Sequence, residues 1–293
     1  MKDDKFSLSA MSVASIRVVE SYRSEEDRLF DDRFALHFLK PVWQLILHIL
    51  RLPVIGTSFL ALRERQFPGT LGGIICRTRF IDDALRDALE EGISQVVILG
   101  AGFDSRAYRI PGIDTVRVFE VDHSAAQAWK KARLREIMGS LPPHVTFVPM
   151  DFKKQDLGKE LAKAGFRTDV QTFIIWEGVT QYIGKEAVDQ TFQYVKRITS
   201  GRKIVFTYIL QEVIDGTAEG AQKVTSLARS QGMPWIFGID PSNLNQYLSE
   251  RGFALQEEVG ASEYQNRYLD PIHRHMKIFE IERTVIAQVS HSE

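Results

Sequence analysis

The chain has 293 residues, 44% of them hydrophobic and 26% charged, with 37 Lys plus Arg against 38 Asp plus Glu for a net charge of −1. Such a composition supports a folded core without covalent staples, and its balanced charge excludes a global field for nucleic acid, so a small-molecule partner is expected. The single cysteine, Cys76, excludes an intramolecular disulfide and a cysteine-cluster metal site, and the opening MKDDKFSLSA is not the apolar stretch of a secretory signal, so a cytoplasmic protein is expected.

The segments 12–24 and 25–43 space their apolar residues at three and four, which predicts helices. The longest apolar stretch, VWQLILHILRLPVIGTSFLAL (42–62), is divided by Arg51 and Pro53. That division predicts a buried helix, a break and a second helix, and no stable membrane insertion; an interfacial membrane helix or an apolar substrate wall is the alternative. The helix predicted over 78–92 stops at Gly92.

From residue 95 the chain alternates. Apolar, β-branched runs at 95–100, 115–122, 144–151, 172–178 and 203–209 predict strands, and the patterns at 125–140 and 185–201 predict helices between them. Continuous apolar strands alternating with helices argue for a parallel sheet covered on both faces. A helix at 242–252 is followed by two more runs, FALQEEVG (253–260) and MKIFEIERTVIAQ (276–288), joined by a loop and so expected to be antiparallel neighbours. The fold expected is α/β, a doubly wound seven-stranded Rossmann-like sheet with an antiparallel C-terminal hairpin strand and an N-terminal helical cover. Residues 1–94 would form the cover with acceptor-site helices, and 95–293 the ligand-binding core with a lid insertion at about 210–240.

The first strand runs into Gly100-x-Gly102 and a helix start, where backbone amides can approach a ligand without a Cβ in the way. The second strand ends in Glu120 and Asp122, some 20 residues on, where a carboxylate can accept both hydroxyls of an adenosine ribose; Asp122 stands ahead of Glu120. The third ends in MDF, so that Asp151 can accept from an adenine amino group while Phe152 or Met150 covers the ring, and the fourth brings Glu177 over the same crevice. A dinucleotide's pyrophosphate would face Asp104 here, and Ser105 stands where many such loops carry a third glycine. A ligand with an amino-acid tail suits Asp104, Glu177 and an arginine such as Arg79 or Arg106 better, and S-adenosylmethionine is such a ligand.

LGAGFDSRAYRI, FEVD and WEGVTQYI, with 14–39, RTRFIDDAL, 237–253 and ERTVIA, together resemble the leucine carboxyl methyltransferase family, over nearly the whole chain. This is a class I S-adenosylmethionine-dependent group, with many bacterial members assigned as small-molecule O-methyltransferases. The resemblance implies S-adenosyl-L-methionine as cofactor and S-adenosyl-L-homocysteine as product. It implies Arg79 at the methionine carboxylate, Gly100 under the methionine portion, Asp122 at the ribose, Asp151 at the adenine, Glu177 near the ammonium and Tyr182 near the methyl-transfer site. Two departures are Asp32-Arg33, where Asp-Pro is frequent, and Gln181, where a hydrophobic residue is common.

The expected reaction is methyl transfer to a carboxylate or hydroxyl of a small hydrophobic or aromatic acceptor, with positioning as the main device. Tyr182 and Glu177 are the foremost catalytic candidates, and Tyr208 and His123 are others. No metal site is expected, because His273 and His275 have no evident third ligand. Met233, Trp235, Phe237 and the stretch 42–62 would line the acceptor pocket, and the protein would be a monomer or homodimer. The competing readings are a nicotinamide-dependent oxidoreductase and a non-catalytic cofactor-binding or membrane-surface protein.

Overall fold

A computed structural model of the chain describes residues 3–152, 154–197 and 203–290. The seven apolar runs form one sheet: β1 (Gln95–Leu99), β2 (Arg117–Asp122), β3 (Val145–Pro149), β4 (Thr172–Trp176), β5 (Lys203–Ile209), β6 (Phe253–Val259) and β7 (Glu282–Val289), in the spatial order 3-2-1-4-5-7-6. The first five are parallel, and β7 pairs antiparallel with both β5 and β6. Order reverses at β1, which lies between β2 and β4; in an open α/β sheet that switch point places a ligand crevice beyond the carboxyl ends of the central strands.

Both faces of the sheet are covered, and the pleat divides β1 between them. Val97 and Leu99 join Phe119, Trp176, Phe192 and Phe206 on one side. Val96 and Ile98 join Phe80, Ile81 and Leu85 of the helix Thr70–Glu90 on the other. Phe192, on the helix Lys185–Arg197, meets Trp176, Phe206, Tyr247 and Phe253 in edge-on ring contacts at 5.3–6.2 Å. Burial of such rings contributes about 1.5–3 kcal/mol each. The predicted helix 185–201 is seen as far as Arg197, and its remaining residues lie outside the described ones.

Four expectations are corrected. Residues 25–34 are turns, not helix, and only Ala35–Phe38 is helical in the segment 25–40. The acids of this region are taken by tertiary partners: buried Glu20 accepts from the Leu29 amide and from Arg274, and Asp32 accepts from the Ala35 amide and the Ser105 hydroxyl. The stretch 42–62 does break into two helices, Pro41–Ile49 and Pro53–Gln66, but Leu45 is 63% exposed and Leu52 55%, so its apolar face is not buried. The last strand begins at Glu282, six residues later than expected. The connection before it is no plain loop, since it winds through Ala261–Tyr264 and a wider turn at Gln265–Leu269 that buries Tyr268 and Leu269.

Candidate functional site

The carboxyl ends of β1, β2 and β4 differ from the strands that lead to them. Every residue of β1 and β4 is buried, whereas Gly100, Gly102, Asp104, Asp122, Glu177 and Gly178 are each partly accessible. Gly100 takes φ +69°, and a Cβ there would stand 2.3 Å from Val179 Cγ2. Glycine is therefore demanded by both the turn and the packing of the β4 loop upon it. Gly102, at φ +38°, donates its amide to Asp122 Oδ2, and the His123 amide donates to Asp122 Oδ1 at 2.5 Å. Burial pushes the Asp122 carboxyl upward, against these two amides that favour its ionised form.

Glu120, two residues earlier, is fully buried and is not offered to the crevice. Its carboxylate accepts from the Tyr108 hydroxyl at 2.6 Å and the Lys130 ammonium at 2.8 Å, beneath the glycine loop. Of the two acids at the end of β2, only Asp122 reaches the rim.

Glu177 is the hub of a buried ionic web. Its Oε1 accepts from Arg77 Nε at 2.8 Å and its Oε2 from Arg106 Nη1 at 2.6 Å. Arg106, fully buried, also donates to Asp104 Oδ2 at 2.5 Å and to Asp82 Oδ1 at 2.8 Å, and Arg109 completes Asp82 with bonds of 2.6 and 2.7 Å. Burial alone would raise the Glu177 carboxyl, but the guanidiniums of Arg106 and Arg77 outweigh it and hold the group at about 2. Glu177 is therefore a fixed anion rather than a proton carrier near neutrality.

Arg77 also pairs with Glu282 on β7. Arg79, in contrast, faces away: it donates to Asp83 at 2.9 Å and to the Leu29 carbonyl at 2.7 Å. Two residues along a helix are about 200° apart, so Arg77 and Arg79 cannot share a face. Sequence reasoning missed Arg77, Asp82 and Arg17. A signal was there in part, because Arg79, Asp83 and Arg86 follow the i, i+4, i+7 spacing of an outer stripe, opposite the buried Ile75, Phe80, Ile81 and Leu85.

The N-terminal helix Asp3–Ser21 closes over this end of the sheet. Arg17 donates to the Phe103 carbonyl of the glycine loop and lies 3.3 Å from Asp32, which holds Ser105. Further along, Ser9 Oγ is 3.2 Å from the Tyr182 hydroxyl. Asp151 and Phe152 are half-buried at the end of β3, where Phe152 packs against the core cluster and contributes to a groove of about 430 Å³ between the helices Leu157–Lys163 and Lys185–Arg197. Tyr208 is buried and donates to Glu258, away from the β1 and β4 ends. Among the described residues no three metal-ligating side chains converge.

Comparison with known proteins gives this arrangement a lineage. The family model of the leucine carboxyl methyltransferases matches residues 10–196. A candidate S-adenosyl-L-methionine-dependent methyltransferase of Parafrankia is 35% identical, with 85% of this chain and 77% of the relative aligned. One of Streptomyces coelicolor is 33% identical over 73% and 72%, and YktD of Bacillus subtilis, of the same description, is 28% identical over 70% and 69%. The crystal structure of a DUF574 family protein from Streptomyces avermitilis superposes with a TM-score of 0.56 over 94% of this chain and 96% of that one, at 13% identity, a likeness of fold alone. The oxidoreductase alternative falls with these matches: the chain is a methyltransferase and belongs to the leucine carboxyl methyltransferase family.

Proposed function

We propose that the protein transfers a methyl group from S-adenosylmethionine to a carboxylate or hydroxyl oxygen of a small hydrophobic or aromatic acceptor. The observation that carries this reading is the placement of Asp122 at the end of β2 and of Glu177, paired with Arg77, just past the end of β4, to either side of the glycines that follow β1. With one strand between them, the two acids are about 10 Å apart along the sheet, a span suited to the ribose at one end of the cofactor and its amino-acid tail at the other.

The donor set fits that tail. Arg77 offers a guanidinium to a carboxylate, and Glu177 offers fixed negative charge to an ammonium. Asp122 keeps lone pairs for the ribose hydroxyls after accepting two backbone amides, and Asp151 and Phe152 take the adenine side. Asp104, like Glu177, has both its oxygens bonded to arginine, here to the amide and guanidinium of Arg106. These bonds fix the loop electrostatically.

The bound cofactor supplies a methyl group already activated on a sulfonium. The protein's own work is alignment and exclusion of water. The helix Asp3–Ser21 roofs the glycine loop, and the Ser9–Tyr182 contact brings a hydroxyl pair to the mouth beside Glu177. Tyr182 orients the acceptor there. A carboxylate acceptor needs no base, whereas a hydroxyl acceptor would pass its proton to water. The half-buried Met233 and Trp235, in the segment after β5, wall the acceptor side; Ile236 is tied to the Gln181 carbonyl at 2.8 Å, which holds that segment on the WEGVTQYI loop.

Titration calorimetry with S-adenosylmethionine, S-adenosylhomocysteine and NADH is the test. Micromolar binding of the first two and none of NADH is expected, with Arg77→Ala weakening binding about tenfold or more and Arg79→Ala changing it by less than about twofold. A folded protein that binds neither methyl-donor ligand would overturn the reading. Labelled methyl transfer to aromatic carboxylic acids and phenols then separates carboxyl from hydroxyl acceptors.

A further inference from the structure

Seven of the ten large apolar residues exposed among the described residues lie between Val42 and Leu62. Val42, Leu45 and Ile49 fall on one stripe of the helix Pro41–Ile49 at 60%, 63% and 44% exposure, while Leu47 on its opposite side is 3% exposed and packs against the N-terminal helix. The stripe continues through Leu52 and Ile55 across the break, with Trp43 on its flank. A helix pair whose apolar side faces outward is the reverse of what a monomer in water favours, and a contiguous patch of this kind marks a binding surface.

Charge selects the occupant. Between residues 40 and 66 the cations are Lys40, Arg51, Arg63 and Arg65, and the one acid is Glu64, whose carboxylate is taken by the Gly69 amide at 2.8 Å. Arg51 and Arg65 are exposed beside the apolar residues. Apolar side chains and a tryptophan fringed by arginines form the pattern of a segment lying in the plane of a membrane interface. No helix among the described residues is long and apolar enough to cross one. Two copies meeting through this face would oppose two cationic surfaces, so a second copy of the chain is disfavoured.

We propose that the helix pair 41–66 docks on an anionic lipid bilayer. Leu47 and Leu50 share a core cluster with Met11 and Val18 of the N-terminal helix and with Phe103 of the glycine loop, so docking would bring the bilayer to the roof of the crevice. Delivery of a lipid-soluble acceptor by that route rests on the methyl-transfer reading; the docking itself does not.

The test is flotation of the full chain with vesicles of phosphatidylcholine alone and of phosphatidylcholine with phosphatidylglycerol, without cofactor. The parent is expected to float with the anionic vesicles, to be released largely at about 1 M salt where charges are screened beyond about 3 Å, and to show a blue shift of tryptophan emission that Trp43→Phe removes. The double variant Leu45→Glu, Leu52→Glu is expected to lose binding at least about tenfold with unchanged circular dichroism and unchanged S-adenosylmethionine affinity. Absence of the parent from the anionic vesicles, or equal binding by the double variant, overturns the proposal. So does a dimer in sedimentation velocity that the double variant splits, since a second copy would then cover the face.

Discussion

The ionic web around Glu177 and the helix pair 41–66 invert the usual disposition of charge and grease. Asp82 and Arg106 are 0% exposed, and Leu45 is 63% exposed. The first is tolerable because each charge meets opposite charges at hydrogen-bonding distance, which offsets the several kcal/mol of desolvation per ion. The second has no such match among the described residues. The contrast teaches that burial in this protein follows the availability of partners, and that an unmatched surface points outside the chain.

The strongest way to break the comparison is Arg106→Met, which leaves Asp82, Asp104 and Glu177 short of their shared guanidinium. A loss of about 3–5 kcal/mol in urea unfolding is expected; a change under about 1 kcal/mol would mean that the web carries no stability. Within the outward helix, Leu47→Ala should cost about 2–5 kcal/mol through the cavity it leaves. Asp122→Ala should weaken S-adenosylmethionine binding about tenfold, or about 1.4 kcal/mol, with little effect on unfolding, and calorimetry reads this directly.

Acid sharpens the charged half. The Glu177 carboxyl is held at about 2 against an ordinary 4.5, so its stabilising share is complete above about pH 4.5 and is lost as pH falls toward 2. Urea midpoints measured from pH 6 down to 3 should fall less steeply in Glu177→Gln than in the parent. The smallest effect belongs to the apolar half: Leu45→Ala should leave stability within about 0.5 kcal/mol. A larger loss in the monomer would mean that the exposed stripe has a partner inside the chain.

Much of the fold was legible in order. The five parallel strands and the antiparallel end were predicted because their runs are apolar, β-branched and bounded by turn residues, signals that are local. The segment 25–34 was misread because its spacing is helical while Glu20 and Asp32 find partners in Arg274 and Ser105, far away in sequence. At the site, the order of motifs named the acids and glycines, but it named Arg79 where the arginine that meets Glu177 is Arg77. Which of Arg77 and Arg79 faces Glu177 is decided by the face that the helix Thr70–Glu90 turns to the sheet.

The sequence by itself determined the strand order's raw material, the glycine turn after β1 and the acids that end β2, β3 and β4, because periodicity and turn chemistry act over a few residues. Only the tertiary structure decided that Glu120 lies within the core with Lys130 while Asp122 reaches the rim, that Arg106 neutralises Asp104 and Glu177 together, and that the apolar helices turn outward. Those outcomes depend on which groups meet across long sequence separations. Charge pairing and burial are properties of the meeting, and no single segment carries them.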